Sequence, residues 1–194
     1  MSAQTSAVVG RLISETYSID EARRFALFRP DDDQLAQIAH IGSTVMQDCY
    51  PPIPAPCAIM SALYAERLAK LGLGPVHVVA GALDVLGVRI FGTSDPTRAA
   101  MLSASNFSWD GHAWIMLGPY VADVSLFRTA RSDRSHPVLR EHVTREFGSK
   151  SGLLIVRESD AQLSGLEYFP EHVLSNEQRE ALANGARSIF GLSK

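Results

Sequence analysis

Cys57 is the residue of this sequence best placed for covalent chemistry. It follows Pro56, and proline favours the first turn of a helix because its φ already suits a helix and its missing N–H is not needed there. The unpaired N–H groups at a helix N-terminus stabilise a thiolate and can bind an oxyanion as it forms. Cys57 is therefore a candidate nucleophile, against the alternative of a small buried apolar residue. Cys49 has no helix start behind it and is the weaker candidate.

A predicted hairpin carries a histidine and an aspartate that would complete such a site. The Gly-Pro pair at 118–119 predicts a two-residue turn. With that turn Trp114 opposes Asp123 and His112 opposes Ser125, so all four residues share one face. An aspartate beside a histidine fixes the ring tautomer and stabilises the imidazolium. The sequence thus favours a nucleophile, a base and an orienting carboxylate, against the alternative of a structural polar pair at a sheet edge.

The segments around these residues resemble the transglutaminase-like proteins, which belong to the papain-like cysteine proteinase superfamily. The resemblance spans roughly residues 50–127, about two-fifths of the chain, and it rests on four stretches: 57–72 (CAIMSALYAERLAKLG), 76–81 (VHVVAG), 111–114 (GHAW) and 122–125 (ADVS). It implies that Cys57 is the nucleophile, His112 the general base and acid, and Asp123 the orienting carboxylate.

This resemblance implies thiol-dependent acyl transfer that needs no cofactor. The predicted reaction is hydrolysis of a peptide, isopeptide or other amide bond, with a peptide or a small amide or ester as substrate. Acyl transfer to an amine, of the transglutaminase or arylamine acetyltransferase type, is an alternative. A non-catalytic module that binds a peptide or partner in the same cleft is another. It is motivated by Ala58, which stands where the family often has glycine or a polar residue, and by the prolines before Cys57.

Four further residues are predicted to border the site. Papain-like enzymes carry a glutamine upstream of the cysteine as an oxyanion donor, and Gln47 is the nearest candidate. Asn106 and Trp109 lie in a polar and aromatic loop just before the histidine, and Trp114 follows it. We expect these three residues to lie along a substrate cleft.

No metal site is predicted. The three candidate catalytic residues are of types that bind zinc, but no second cluster of cysteines or histidines accompanies them. His136 and His142 are six positions apart, whereas a zinc-protease helix needs two histidines four apart with a glutamate between them. Both are therefore interpreted as solvated helix residues.

Composition excludes several classes of partner. The chain of 194 residues has 18 Lys and Arg against 21 Asp and Glu, a net charge of −3, so no basic surface for nucleic acid is expected. The longest uncharged run, 49–65, has 17 residues and four prolines, short of the roughly 20 that cross a membrane.

The N-terminus lacks signal-peptide features. A disulfide between the two cysteines would close a small loop, but nothing else indicates a secreted protein, so a reduced cytoplasmic protein is expected.

The order of elements predicts one α+β domain over residues 1–194, of papain-like architecture. Residues 1–50 are predicted to be helical, 51–157 to form the catalytic-like core, and 158–194 to form a helical C-terminal part. A helix over 56–71 should lie on an antiparallel sheet, with the predicted strands at 76–81, 85–91, 111–117, 120–127 and 153–156. Extra helices are expected at both ends of this core.

The two terminal parts show clear helix signals. Asp31 to Asp33 supply cap candidates ahead of Leu35, Ile38 and Ile41, which recur at helical spacing. Ser175 and Gln178 have capping-box spacing ahead of an amphipathic helix. A further hypothesis makes the N-terminal apolar face an interface between copies of the chain.

Overall fold

An antiparallel sheet with helices on both faces forms the centre of this computed structural model, which describes residues 3–53, 56–92, 111–149 and 152–193. Within these ranges the helices are α1 (Ala3–Thr16), α2 (Ile19–Leu27), α3 (Asp32–Asp48), α4 (Cys57–Lys70), α5 (Leu126–Ala130), α6 (Pro137–Phe147), α7 (Glu158–Leu163) and α8 (Asn176–Phe190). The strands are β1 (His77–Val85), β2 (Val88–Phe91), β3 (His112–Leu117), β4 (Tyr120–Asp123), β5 (Leu154–Arg157) and β6 (Leu166–Val173).

The sheet is organised around β1, its longest strand. One edge of β1 pairs with β3 and, further along, with β2, and the other edge pairs with β6. Next to β3 lies β4, and β5 follows β4. Every one of these pairs is antiparallel, so the predicted α+β class with an antiparallel sheet is confirmed. The arrangement brings the start of β3, the end of β4 and the middle of β6 into one region.

Helices cover both faces of the sheet, whereas the sequence predicted one helix lying on it. One apolar cluster joins α3, α4 and α8 to the first face, and a second joins α1, α2, α5, α6 and α7 to the other. Because both faces are buried, β3 is apolar along nearly its whole length and buried throughout. The helix α4 is buried on almost all sides, with ten of its 14 residues inaccessible. It is therefore a rigid support for the residue at its N-terminus.

The predicted helix starts are confirmed. Asp31 caps α3 by accepting the backbone N–H of Gln34, and the Gln34 side chain accepts the N–H of Asp31 in return. Ser175 and Gln178 make the same reciprocal pair at the start of α8. The helix α4 begins at Cys57, one residue later than predicted, with Pro56 as its cap residue and not its first helical residue. Each start therefore lies within one residue of its predicted position.

Three predicted boundaries are wrong. The strand expected over 76–81 continues to Val85, and the next strand, expected over 85–91, begins at Val88. The strand expected over 120–127 ends at Asp123, because the carboxylate of that residue accepts the backbone N–H groups of Ser125 and Leu126 and turns the chain into α5. The part expected to be helical, 158–194, contains β6. Pro170 lies within β6, and a proline normally argues against a strand; here it lies beside an irregularity in the β1–β6 pairing.

Several smaller expectations can be compared with the structure. His142 is buried, with only 1% of its surface exposed, rather than solvated. His136 accepts the N–H of Val138 at the start of α6. Both cysteines are free thiols. Ile38, assigned to an oligomer interface in one hypothesis, packs inside this chain's own core. Over the described ranges, none of the helices combines the length and apolarity needed to cross a membrane.

Candidate active site

Three elements bring the candidate catalytic residues to their positions. Cys57 is the first residue of α4, His112 is the first of β3 and Asp123 is the last of β4. The hairpin register agrees with the prediction, since Leu117 pairs with Tyr120 across the two-residue turn. An even-length turn keeps the histidine and the aspartate on the same face of the sheet. The register therefore accounts for their meeting.

His112 and Asp123 form a short, buried hydrogen bond. The distance from His112 Nε2 to Asp123 Oδ2 is 2.5 Å. The two side chains expose 1% and 0% of their surfaces. A hydrogen bond between an imidazole and a carboxylate in such a dry environment is stronger than it would be in water. The ring is thereby fixed in one orientation, with Nε2 directed at the carboxylate.

The Asp123 carboxylate accepts five hydrogen bonds from residues that the structure describes. Its Oδ1 accepts from the backbone N–H of Ser125 (3.0 Å), the hydroxyl of Ser125 (3.1 Å) and the backbone N–H of Leu126 (2.9 Å). Its Oδ2 accepts from the phenol of Tyr168 (3.0 Å) in addition to His112. Burial by itself would raise the pKa of Asp123, but the charge of His112 and these hydrogen bonds lower it below its ordinary value. The carboxylate is therefore held ionised.

Cys57 lies beside the His112 ring, close enough to contribute to the pKa of the imidazole. Because Nε2 is already bonded to Asp123, Nδ1 is the nitrogen that remains for the sulfur. Burial alone would lower the pKa of His112, but the Asp123 charge and hydrogen bond, with a further contribution from Cys57, raise it to about 10. The protonated form of the ring is therefore favoured in this environment.

Aromatic rings enclose the imidazole. Phe91 stacks on His112 with ring centroids 5.1 Å apart, and Trp114 lies 6.1 Å away, nearly parallel. Such rings stabilise an imidazolium through the negative charge of their faces. Trp114 is fully buried, so it supports the ring from the core and does not line an open cleft as expected.

The pH dependence of folding is expected to report on this pair. A group whose pKa is raised by folding stabilises the fold fully below its unfolded pKa, and this contribution disappears as the pH rises through the folded value. For His112 the loss should extend from about pH 6.5 to about pH 10. Asp123 behaves oppositely, since its lowered pKa stabilises the fold above its ordinary value of 3.8, and that contribution is lost at lower pH. The pair should therefore stabilise most between about pH 4 and 6.5.

Urea unfolding of the wild type and of His112→Gln at several pH values measures this effect. The comparison cancels other titrating groups, such as His77, whose pKa burial lowers to about 4. We expect the difference in free energy of unfolding to shrink steadily from about pH 6.5 to about pH 10. A difference that stays constant over this interval would show that His112 does not lose a proton there.

The other predicted site residues are less closely connected to this cluster. Gln47 is exposed on α3 and lines an open cleft of about 710 Å³ with Tyr50 and Leu153, and Cys57 is not part of that lining. Its predicted role as an oxyanion donor has no contact to support it among the described residues. Asn106 and Trp109 lie outside the described residues, so their predicted place in a substrate cleft stays a prediction.

Tyr168 is the member of the cluster that the sequence did not reveal. It lies on β6, which pairs with β1 on the edge opposite β3. Leu166 and Tyr168 show the alternation of a strand, but Pro170 interrupts it and favours a loop. A tyrosine is moreover an ordinary core residue, so neither its spacing nor its type indicated a polar role.

Comparisons with models of protein families, with curated proteins and with solved structures return no match to this chain. The site must therefore be judged on its own geometry. Within the described parts of the chain, no group of three or more His, Cys, Asp or Glu side chains is arranged to hold a metal ion.

Proposed function

We propose that this protein catalyses thiol-dependent acyl transfer through Cys57, His112 and Asp123, on a papain-like, transglutaminase-like fold. The observation that carries the proposal is the buried hydrogen bond between His112 and Asp123, with Cys57 at the start of α4 beside the same imidazole. Nucleophile, base and orienting group are the three parts that this chemistry requires. The free N–H groups of the first turn of α4 are suited to bind the oxyanion.

The proposed reaction begins from a thiolate beside the imidazolium. The Cys57 sulfur attacks the carbonyl carbon of an amide or ester, and the carbonyl electrons move to its oxygen. The bond to the leaving group then breaks, and His112 gives its proton to the departing nitrogen or oxygen. Water next attacks the acyl-enzyme while His112 accepts its proton, and the sulfur leaves as a thiolate. Asp123 remains ionised throughout and stabilises the imidazolium.

Hydrolysis of a peptide, isopeptide or other amide bond is the form of this reaction that we propose first. Transfer of the acyl group to an amine would use the same acyl-enzyme, with an amine in the place of water. Mass spectrometry of the chain after incubation with activated esters and peptide amides detects the acyl-enzyme on Cys57. The product formed with and without an added primary amine then distinguishes hydrolysis from transfer.

A non-catalytic binding module is the second candidate, because Cys57 and His112 expose only 7% and 1% of their surfaces. In that case the cysteine would be a core residue and the histidine and aspartate a structural pair. Such a thiol should react slowly, and its reactivity should not depend on His112. The alkylation experiment below separates the two candidates without knowledge of the substrate.

Iodoacetamide is expected to alkylate Cys57 at least about tenfold faster near pH 6.5 in the wild type than in His112→Gln, because the imidazolium stabilises the reactive thiolate. Peptide mass spectrometry assigns the label to each cysteine. Cys49 is an internal control: it is fully buried, and burial raises the pKa of its thiol to about 11, so it should stay unlabelled while the chain is folded. Equal Cys57 rates in the two chains would favour the binding module.

A further inference from the structure

We propose that Tyr168 is a positioning residue of this site, which holds the Asp123 carboxylate in the orientation that His112 requires. The inference rests on the proposed function and adds Tyr168 to the residues that form the site. The phenol donates to Oδ2 over 3.0 Å, and Oδ2 is also the oxygen that His112 contacts. Tyr168 therefore acts on the reacting groups only through Asp123.

Two groups of donors fix the carboxylate from opposite sides. Ser125 and Leu126 hold Oδ1 through donors that belong to the same turn of the chain as Asp123 itself. Tyr168 is the donor that comes from a distant strand, 45 positions along the chain, and it binds the other oxygen. With both oxygens held, the carboxylate cannot rotate away from the imidazole. Without the phenol, His112 would be the one donor to Oδ2 among the residues that the structure describes.

The surroundings of Tyr168 keep its hydroxyl protonated, so that it acts as a hydrogen-bond donor to Asp123. Its ring packs against Trp114 with centroids 5.0 Å apart and lies 6.2 Å from the His112 ring. The residue is 5% exposed. Burial, together with the adjacent Asp123 charge, raises the pKa of the phenol well above 10, so the hydroxyl stays protonated and donates. A neutral donor of this kind also disperses the carboxylate charge and helps to keep the pKa of Asp123 low.

The sheet explains how a side chain of β6 reaches β4. Tyr168 pairs with Leu83 of β1, and Gly81 of β1 pairs with His112 of β3. The phenol lies on the same face of the sheet as these residues and there meets the Asp123 carboxylate, beside the His112 ring. A phenylalanine at this position would have no hydroxyl to donate to that carboxylate.

The test is the pH profile of Cys57 alkylation in Tyr168→Phe, which keeps the ring and removes only the hydroxyl. We expect alkylation near pH 6 to be about tenfold slower than in the wild type, and to approach the wild-type rate near pH 9, where a thiol ionises without assistance. The acid limb of the profile should thus move to higher pH. If Tyr168→Phe only destabilised the fold, Cys49 would become exposed and would be labelled. Labelling of Cys49 therefore reports unfolding in the same sample.

Tyr17→Phe is the matched control, because it removes a phenol that donates to the Leu174 carbonyl over 2.5 Å, away from the site. It should lower stability without moving the acid limb. If Tyr168→Phe shows the wild-type profile while His112→Gln slows alkylation, the role of Tyr168 is refuted and the proposed function stands. If His112→Gln has no effect either, both are refuted.

Discussion

Asparagine in place of Asp123 is expected to slow acyl transfer about ten-thousandfold, on the scale known for triads that lose their carboxylate. Cys57 alkylation near pH 6.5 should slow about tenfold, as in His112→Gln, because the thiolate loses its imidazolium partner. The reason lies in the donors that surround this side chain. Oδ1 accepts two backbone N–H groups, from Ser125 and Leu126, which cannot reverse their direction. The amide oxygen of an asparagine must therefore take the place of Oδ1, and its NH₂ group must face His112.

This orientation gives the imidazole the wrong tautomer. An amide N–H directed at Nε2 requires Nε2 to accept, so the ring proton moves to Nδ1. Nδ1 is the nitrogen that remains for Cys57, and with a proton on a neutral ring it can no longer take the thiol proton. The imidazolium also loses its charged partner. Asparagine is thus expected to fail here even though its shape closely matches that of aspartate.

Nitrogen NMR of the histidine rings measures the tautomer directly, beside the alkylation rates. We expect the wild-type His112 to be doubly protonated near neutral pH and the Asp123→Asn ring to be neutral with its proton on Nδ1. Ser125→Ala is the matched control, because it removes one neutral donor to Oδ1 and keeps both backbone donors. It should change the rate only a few-fold. A doubly protonated ring in Asp123→Asn would contradict this account.

The arrangement of the candidate site was predictable where it depends on local rules. Helix starts follow from residue type, so the sequence placed Cys57 at a helix N-terminus. Strand register follows from the turn, and the Gly-Pro pair at 118–119 put His112 and Asp123 on one face. Both inferences need only neighbouring residues. The distances themselves arise from the packing of α4 against the sheet, which no local pattern contains.

Contacts between residues that lie far apart along the chain could not be predicted from the sequence. Tyr168 joins the site through a strand that pairs far along the chain, and Pro170 hid that strand. The turn after Asp123 was also missed, because a carboxylate that bonds to its own backbone cannot be told in the sequence from one that faces solvent. Trp114 was assigned to the right face of the sheet, but the helices covering that face make it a core residue.

Alanine in place of Gly81 is expected to lower the free energy of unfolding by about 3 kcal/mol or more, and to disconnect Tyr168 from the site. A Cβ at this position would overlap the carbonyl oxygen of Phe169, which is backbone and cannot rotate away. The strand β6 would have to separate from β1 at that point. Because Tyr168 precedes Phe169 in β6, its hydroxyl would be displaced from Asp123 together with the strand.

Urea unfolding and Cys57 alkylation, measured on the same samples of Gly81→Ala, test both consequences. Gly185→Ala is the matched control, since Gly185 lies in α8 with no atom within 4 Å of an added Cβ. It should be neutral or stabilising by up to about 1 kcal/mol, because alanine favours a helix. If Gly81→Ala were as stable as this control, β6 could not approach β1 as closely as described. We expect Gly81→Ala to be less stable and to be alkylated more slowly at Cys57, while Cys49 stays unlabelled because the chain is still folded. This result would show that the close packing of β6 on β1 at Gly81 controls the reactivity of Cys57.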